Sequence, residues 1–256
     1  MKKKIAKPKS AKSFVAIAEQ YVNALSVPNK TVIEVGAGNQ LYTALYLIYS
    51  GAKKVIVIEP CIDKNATKQL TQYAVEIEKL FPDKIVKEEL FGKIKIYKKG
   101  ADEKNLLSDY NGKIDTIFSH TTLEHIPDLN QIFKNFNQWL KNSGTMYHVV
   151  DFVDHLYYPF SSLPLLKFLF NNKFRHLQYS PKTWKRVNDQ KTCFMNRKLL
   201  PHYRKLAQKY DFEIKSIKSQ AAQIKVKIHD DILMGLENIN PRDLNAAKIE
   251  IVFRKK

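Results

Sequence analysis

Residues 13–25 (SFVAIAEQYVNAL) place Phe14, Ile17, Ala18, Tyr21, Val22 and Leu25 at i, i+3, i+4 spacing, one apolar face of a helix that Pro28 closes. A β-branched run follows at 31–35 (TVIEV), then a turn from Gly36 to Gly38 and a helical stretch over 40–50 that Gly51 stops. The pattern recurs along the chain. VIVIE (55–59), KIKIY (93–97), KIDTIFS (113–119) and TMYHVV (145–150) read as strands. Residues 64–81 and 128–141 read as helices between them, and NSG (142–144) reads as a turn. Strands that alternate with helices predict a parallel sheet covered on both faces, a doubly wound α/β fold.

After Asp151 the alternation lapses. Residues 152–196 are rich in aromatics and prolines without a period, as expected of a cap or substrate-binding insert. Regular spacing returns with a helix at about 198–210 and strands at 212–218 and 247–253. The expected organisation is therefore a basic tail and helix (1–30), a ligand-binding core (31–151), a cap insert (152–196) and a C-terminal part of the core sheet (197–256). Neither an internal repeat nor a low-complexity linker interrupts it.

Composition narrows the function classes. The 256 residues, 44% of them hydrophobic, suffice for one large domain with a core. Cys61 and Cys193 stand far apart without metal-type spacing, so a disulfide framework and a cysteine zinc site are not indicated, and a reducing compartment is expected. The charged N-terminus MKKKIAKPKSAK lacks an apolar stretch behind it, and the apolar run 157–170 holds two prolines and a lysine, too short and too broken to span a bilayer. The expectation is a cytoplasmic protein without a transmembrane segment. A formal charge of +18 suits an anionic partner, because clustered Lys and Arg raise the local anion concentration, although lysines spread over the surface would give the same total.

The candidate chemistry begins at TVIEVGAGNQ (31–40). In an open α/β sheet the ligand lies over the carboxyl ends of the strands, where a glycine turn lets the backbone approach it. Gly36 and Gly38 supply that turn. Glu59, closing the second strand, can accept hydrogen bonds from two ribose hydroxyls. The dinucleotide fingerprint G-x-G-x-x-G/A fails, because bulky Leu41 occupies the last position, and the lysine of a phosphate-binding P-loop is absent.

The stretch VIEVGAGNQLYTALYLIYSGAKKVIVIEP resembles motif I and the following acidic strand end of class I S-adenosylmethionine-dependent methyltransferases. The resemblance continues through GAD (100–102) and KIDTIFSHTTLEHIPDLNQIFKNFNQWLKNSGTMYH (113–148), over nearly the whole chain. It implies a Rossmann-like seven-stranded sheet with a cap insert after strand five, and S-adenosyl-L-methionine as cofactor. It further implies that Glu34, Gly36, Ala37 and Gly38 line the methionine and ribose part, that Glu59 holds the ribose, that Asp102 lies near the adenine, and that Ser119 and His120 flank the methionine end. Gln40 stands where the family often has a third glycine, which marks a different grip on the methionine carboxylate.

Methyl transfer to a hydroxyl needs in-line alignment and removal of the acceptor proton. The sequence HVVDFVDH offers His148, Asp151, Asp154 and His155 where strand five runs out. A neutral histidine can take that proton near pH 7 and an aspartate can orient it, with His155 the favoured base. The same four side chains could instead hold a divalent metal, or pin the cap to the sheet. Together with Tyr179-Ser180, Trp184 and Asn196-Arg197, the HxxDxxDH pattern resembles a subgroup of these methyltransferases found with surface-polysaccharide biosynthesis. Glu124 and His125 in HTTLEH match part of a metal set seen in some quinone-pathway O-methyltransferases, whose additional glutamate is here Thr121, so their expected role is to orient the loop. Arg197 with Asn196 could clamp an anionic group, and Trp184 and Tyr179 could stack on a sugar.

The expected function is O-methylation of a polar, anionic acceptor such as a sugar, a sugar nucleotide or a phosphate-containing precursor of a surface glycan or capsule. RNA methylation is the enzymatic alternative, favoured by the charge and opposed by the missing (N/D/S)PP(Y/F) signature. A SAM-binding protein without catalysis is the other.

Overall fold

The computed structural model describes residues 10–81, 88–155, 173–188, 194–236 and 239–256. Seven strands form one sheet: β1 (Thr31–Val35), β2 (Lys54–Ile58), β3 (Ile94–Tyr97), β4 (Ile114–His120), β5 (Leu140–Asp151), β6 (Phe212–Ala221) and β7 (Ala246–Lys255). Their order is β3-β2-β1-β4-β5-β7-β6. The first five run parallel, and β7 enters antiparallel between β5 and β6. This is the seven-stranded, Rossmann-like α/β sheet expected from the sequence. The helices are α1 (Ala11–Ala24), α2 (Tyr42–Tyr49), α3 (Leu70–Leu80), α4 (Leu129–Trp139), α5 (Pro181–Asn188) and α6 (Leu200–Lys209), with single helical turns at 230–233 and 241–244. Among the described residues no helix is long and apolar enough to cross a membrane.

The period of two in the strands divides the core in two. Ile33, Val35, Ile56, Ile58, Ile117 and Met146 point to one face and pack with Phe133, Phe136 and Trp139 of α4 and with Tyr203 of α6. Val32, Val55, Val57, Phe118 and Tyr147 point to the other and pack with α1, α2 and α3. Glu34 shares that second face with Val32, which puts a carboxylate under α1 and α2.

Local chemistry moved two boundaries. The helix expected over 64–81 begins at Leu70, because the Asp63 carboxylate accepts from Asn65 N–H at 2.6 Å and its carbonyl from Ala66 N–H, a turn that competes with helix. The turn expected at 142–144 is a bulge inside β5: Ile114 pairs with Leu140 but Thr116 with Thr145, and Ser143 adopts φ 61°.

The ends of β1, β2 and β4 therefore open on one edge of the sheet, with β5 beside them. There the chain at 36–38, 59–61, 120–127 and 151–155 comes together. Of the expected cap, residues 152–155, 173–188 and 194–196 are described. They pack through Phe174, His176, Leu177 and Trp184, and Leu177 C=O accepts from His229 N–H at 2.9 Å.

Candidate functional site

A cavity of about 450 Å³ lies on that edge, within the range of roughly 300–1,000 Å³ typical of small-molecule sites. Its floor is the turn after β1. Gly36 (φ 83°) and Gly38 (φ 71°) both lie in the left-handed region. A Cβ on Gly36 would come within 2.1 Å of the Thr122 hydroxyl, so the turn after β4 packs directly on the turn after β1 and only glycine fits between them. Over Gly38 nothing lies within 4 Å of the same imagined atom, and the backbone there faces open space.

Two carboxylates face the cavity. Glu59 is held from both sides: Oε2 accepts from Gly38 N–H at 2.9 Å and Oε1 from Cys61 N–H at 2.8 Å. It thus ties the turns after β1 and β2 together and keeps lone pairs for a ligand. Glu34 is 3% exposed, and its Oε2 has no hydrogen-bond partner among the described residues. Burial pushes it up to about 8; the Thr43 hydroxyl counters this in part, and the nearby Glu59 charge adds to it. A buried, unpartnered carboxylate is costly, and a ligand cation would relieve it.

The walls combine apolar and polar groups. Phe14, Ile17 and Tyr21 of α1 cover one side and Ile58 and Ile126 another, while Asp102, His120, Thr121, Thr122 and His125 add polar atoms. Asp102 also accepts from Asp128 N–H at 3.3 Å, linking the turn after β3 to the cap of α4.

Of the nine residues expected around a cofactor, Glu34, Gly36, Ala37, Gly38, Glu59, Asp102 and His120 line this cavity. Two do not. Ser119 turns into the core, where its hydroxyl shares a hydrogen bond of 2.7 Å with His148 Nδ1. Gln40 sits beyond the turn, its Oε1 buried and without a hydrogen-bond partner among the described residues. The lining from α1 and from Thr121, Thr122 and His125 was missed. The apolar spacing of α1 is that of any core helix, so no signal in the sequence separated the two roles.

His148 requires the plainest correction. Its ring is fully buried, stacked on Phe136 at 5.3 Å and 6.0 Å from Phe253, on the α4 side of the sheet. Burial pushes its pKa down to about 3. It is a neutral core residue away from the cavity lining, and among the described residues it does not come together with Asp151, Asp154 and His155 as the expected four-residue metal set.

A different set assembles in its place. Glu124, His125 and His155 each bring one ligand atom within 4.8 Å of the others. Glu124 is buried; Oε1 accepts from Asp151 N–H at 3.2 Å, and Oε2 has no partner among the described residues. Burial pushes its pKa up to about 8, and the neighbouring Asp151 adds to this. The His125 and His155 rings meet edge to face at 4.7 Å. His125 Nδ1 is 2.6 Å from Phe194 C=O, so it carries the proton and Nε2 carries the lone pair. Burial lowers the His125 pKa, and His155 beside it acts in the same sense, which keeps the imidazole neutral at physiological pH. Asp151 accepts from Val153 N–H at 2.9 Å, and Asp154 is buried beside Lys173, whose carbonyl its N–H reaches at 2.7 Å.

The residues expected to grip an acceptor cluster together, Trp184 and Arg197 buried, Tyr179 and Asn196 half-buried, and their polar groups are engaged within the protein. Asn196 Nδ2 donates to Leu123 and Ile126 carbonyls at 2.7 and 2.9 Å, and its N–H donates to Glu124 C=O. Arg197 is 8% exposed; its guanidinium donates to Tyr179 C=O and, at 2.9 Å, to Asp231, and lies 5.5 Å from the Trp184 ring centroid. Trp184 donates from Nε1 to Met195 C=O, and Tyr179 stacks on it. These four brace the segment after β5 against the 123–126 turn. The apolar run 157–170 lies outside the described residues, as does Cys193.

A family model described as "Methyltransferase domain" matches residues 12–217. The chain belongs to the methyltransferase-domain family. No curated protein sequence matches this methyltransferase. Among solved structures it is similar to the S-adenosylmethionine-dependent methyltransferase from Mesorhizobium loti, with 12% identity, 94% of this chain and 100% of that chain covered, and a TM-score of 0.55. It is also similar to the geranyl diphosphate C-methyltransferase from Streptomyces coelicolor A3(2), solved with Mg²⁺, geranyl diphosphate and S-adenosyl-L-homocysteine. That match has 10% identity, covers 94% of this chain and 77% of that chain, and has a TM-score of 0.56. At such identities the likeness is one of fold.

Proposed function

We propose that the cavity is the site of S-adenosyl-L-methionine and that this methyltransferase alkylates a hydroxyl oxygen of a polar acceptor, a sugar, sugar nucleotide or phosphate-containing glycan precursor. The observation that carries the reading is the pair of carboxylates facing one cavity, Glu59 fixed by two backbone amides and Glu34 buried without a counter-charge. S-Adenosyl-L-methionine, when bound, supplies a cationic sulfonium methyl, an ammonium group and a ribose diol, and these are the groups two carboxylates can hold.

Each residue then has a task. Glu59 accepts from the ribose hydroxyls, the open backbone over Gly38 admits the ligand's close approach, and Glu34 neutralises the ammonium. Phe14, Ile17 and Tyr21 exclude water above the cofactor. The cluster of Glu124, His125 and His155 borders the cavity through His125, and on this reading the acceptor hydroxyl loses its proton beside it. The net charge of +18 favours an anionic acceptor.

The test is twofold. Glu59→Ala should weaken S-adenosyl-L-methionine by about 100-fold or more in titration calorimetry, since each charge-assisted hydrogen bond contributes about 1.5–3 kcal/mol. Wild-type protein should release S-adenosylhomocysteine against at least one member of a sugar-nucleotide panel. Unchanged affinity in the variant removes the cofactor assignment, and methyl transfer to total RNA with none to the panel removes the acceptor assignment.

A further inference from the structure

The side-chain group at the end of β5 and the turn after β4 has a composition that general acid–base chemistry does not require. It combines one carboxylate and two imidazoles, from three positions separated by up to 31 residues in sequence, within 4.8 Å. Glu124 keeps one oxygen for the loop, accepting from Asp151 N–H, while the other is buried and unpartnered among the described residues. His125 donates Nδ1–H to the Phe194 carbonyl at 2.6 Å, the kind of supporting bond that fixes the tautomer and ring orientation of a metal-ligating histidine. Asn196 locks this turn from outside, through the carbonyls of Leu123, Glu124 and Ile126.

We propose that Glu124 Oε2, His125 Nε2 and a ring nitrogen of His155 bind one divalent first-row transition ion beside the cofactor cavity. Two nitrogens and one oxygen suit Zn²⁺ or Mn²⁺ and are a poor set for Ca²⁺ or Mg²⁺, which prefer oxygen throughout. Ligands around tetrahedral Zn²⁺ at ~2.0–2.1 Å stand about 3.4 Å apart, so atoms as far apart as 4.8 Å need to close by about 1.4 Å on binding. Charge near the site is mixed: Asp151 lies beside Glu124 and Lys248 is close enough to act on it. Three protein ligands leave a position open, and His125 lines the cavity, which puts the ion beside the cofactor site.

The role of the ion rests on the reading of the cavity as the methyl-donor site. An acceptor hydroxyl on the open position loses its proton to solvent more readily, because the ion stabilises the oxyanion. That oxygen forms the new O–CH₃ bond while the C–S bond breaks, and the bonding pair stays on sulfur.

The experiment uses the full chain, stripped with chelator, and Zn²⁺ or Mn²⁺ alone as titrant. Wild type should take up one equivalent. Glu124→Gln and His155→Ala should each weaken uptake by about 100-fold or more, exceeding the roughly 10–100-fold that loss of a supporting hydrogen bond costs. His155 is half-exposed, so its variant keeps the test open if Glu124→Gln does not fold. Absence of stoichiometric uptake by wild type, or uptake unchanged in both variants, overturns the proposal. S-Adenosyl-L-methionine binding by the same samples separates the two readings: cofactor binding without the ion refutes the ion site alone, and failure of the cofactor to bind refutes the reading on which the role of the ion depends.

Discussion

The most direct consequence of the cavity's electrostatics is that cofactor binding should release a proton from Glu34. Its pKa in the ligand-free protein is raised to about 8, chiefly by burial and then by Glu59, so the neutral form predominates at pH 7. A cation seated against Oε2 favours the carboxylate and draws the pKa back down. With a starting value of about 8, roughly a quarter of the molecules carry the ionised form at pH 7.5 and about 1% at pH 6. Affinity for S-adenosyl-L-methionine should therefore fall by about 20-fold between those pH values, the linkage expected when binding expels one proton. Stability of the ligand-free protein moves with pH in the opposite direction. A carboxyl whose folded pKa is raised adds stability below its ordinary value and loses it as pH rises toward 8, so the ligand-free protein should melt at a lower temperature at pH 8 than at pH 6 as far as this group is concerned. Calorimetry in buffers of different ionisation enthalpy reads the proton directly, and Glu34→Gln should flatten the dependence. A heat that does not vary with buffer, or an equal pH dependence in Glu34→Gln, would refute the reasoning.

Two further substitutions probe the frame of the site. Gly36→Ala places a Cβ on the Thr122 hydroxyl in a left-handed backbone, and should cost about 2 kcal/mol or more in denaturant unfolding together with cofactor affinity; unaltered stability would show that the two turns do not meet. Arg197→Ala strands Asp231 and empties the space over Trp184, and should cost about 2–4 kcal/mol of stability while leaving the acceptor KM of the remaining folded enzyme unchanged. A raised KM with intact stability would restore Arg197 to the acceptor.

The sheet was legible because its strands are apolar runs with a period of two, and because Gly36, Gly38 and Glu59 occupy strand ends, where spacing alone fixes their place. Legibility ended where a side chain's direction depended on its partners. His148 and His155 belong to one sequence pattern, yet β5 turns the first onto Phe136, while the second lies past the strand and reaches His125. Asn196 and Arg197 carry the donors an anion would need, but the carbonyls of Leu123, Ile126 and Tyr179 take those donors first. Glu124 was set aside because Thr121 breaks the match to a known set, and its actual companion, His155, is 31 positions away in the chain. Such long-range pairings leave no periodic trace.

Every described residue that lines the cavity lies between Phe14 and Pro127. On the reading of the cavity as the donor site, the described donor-binding groups fall in the first half of the chain, and the second half contributes the closing strands and the segment braced on the 123–126 turn. That reading separates the two demands in sequence, and the later stretch can then diverge toward new acceptors while the donor-binding residues stay fixed. Exchange of the segment between β5 and α6 among relatives is the natural route to altered acceptor choice.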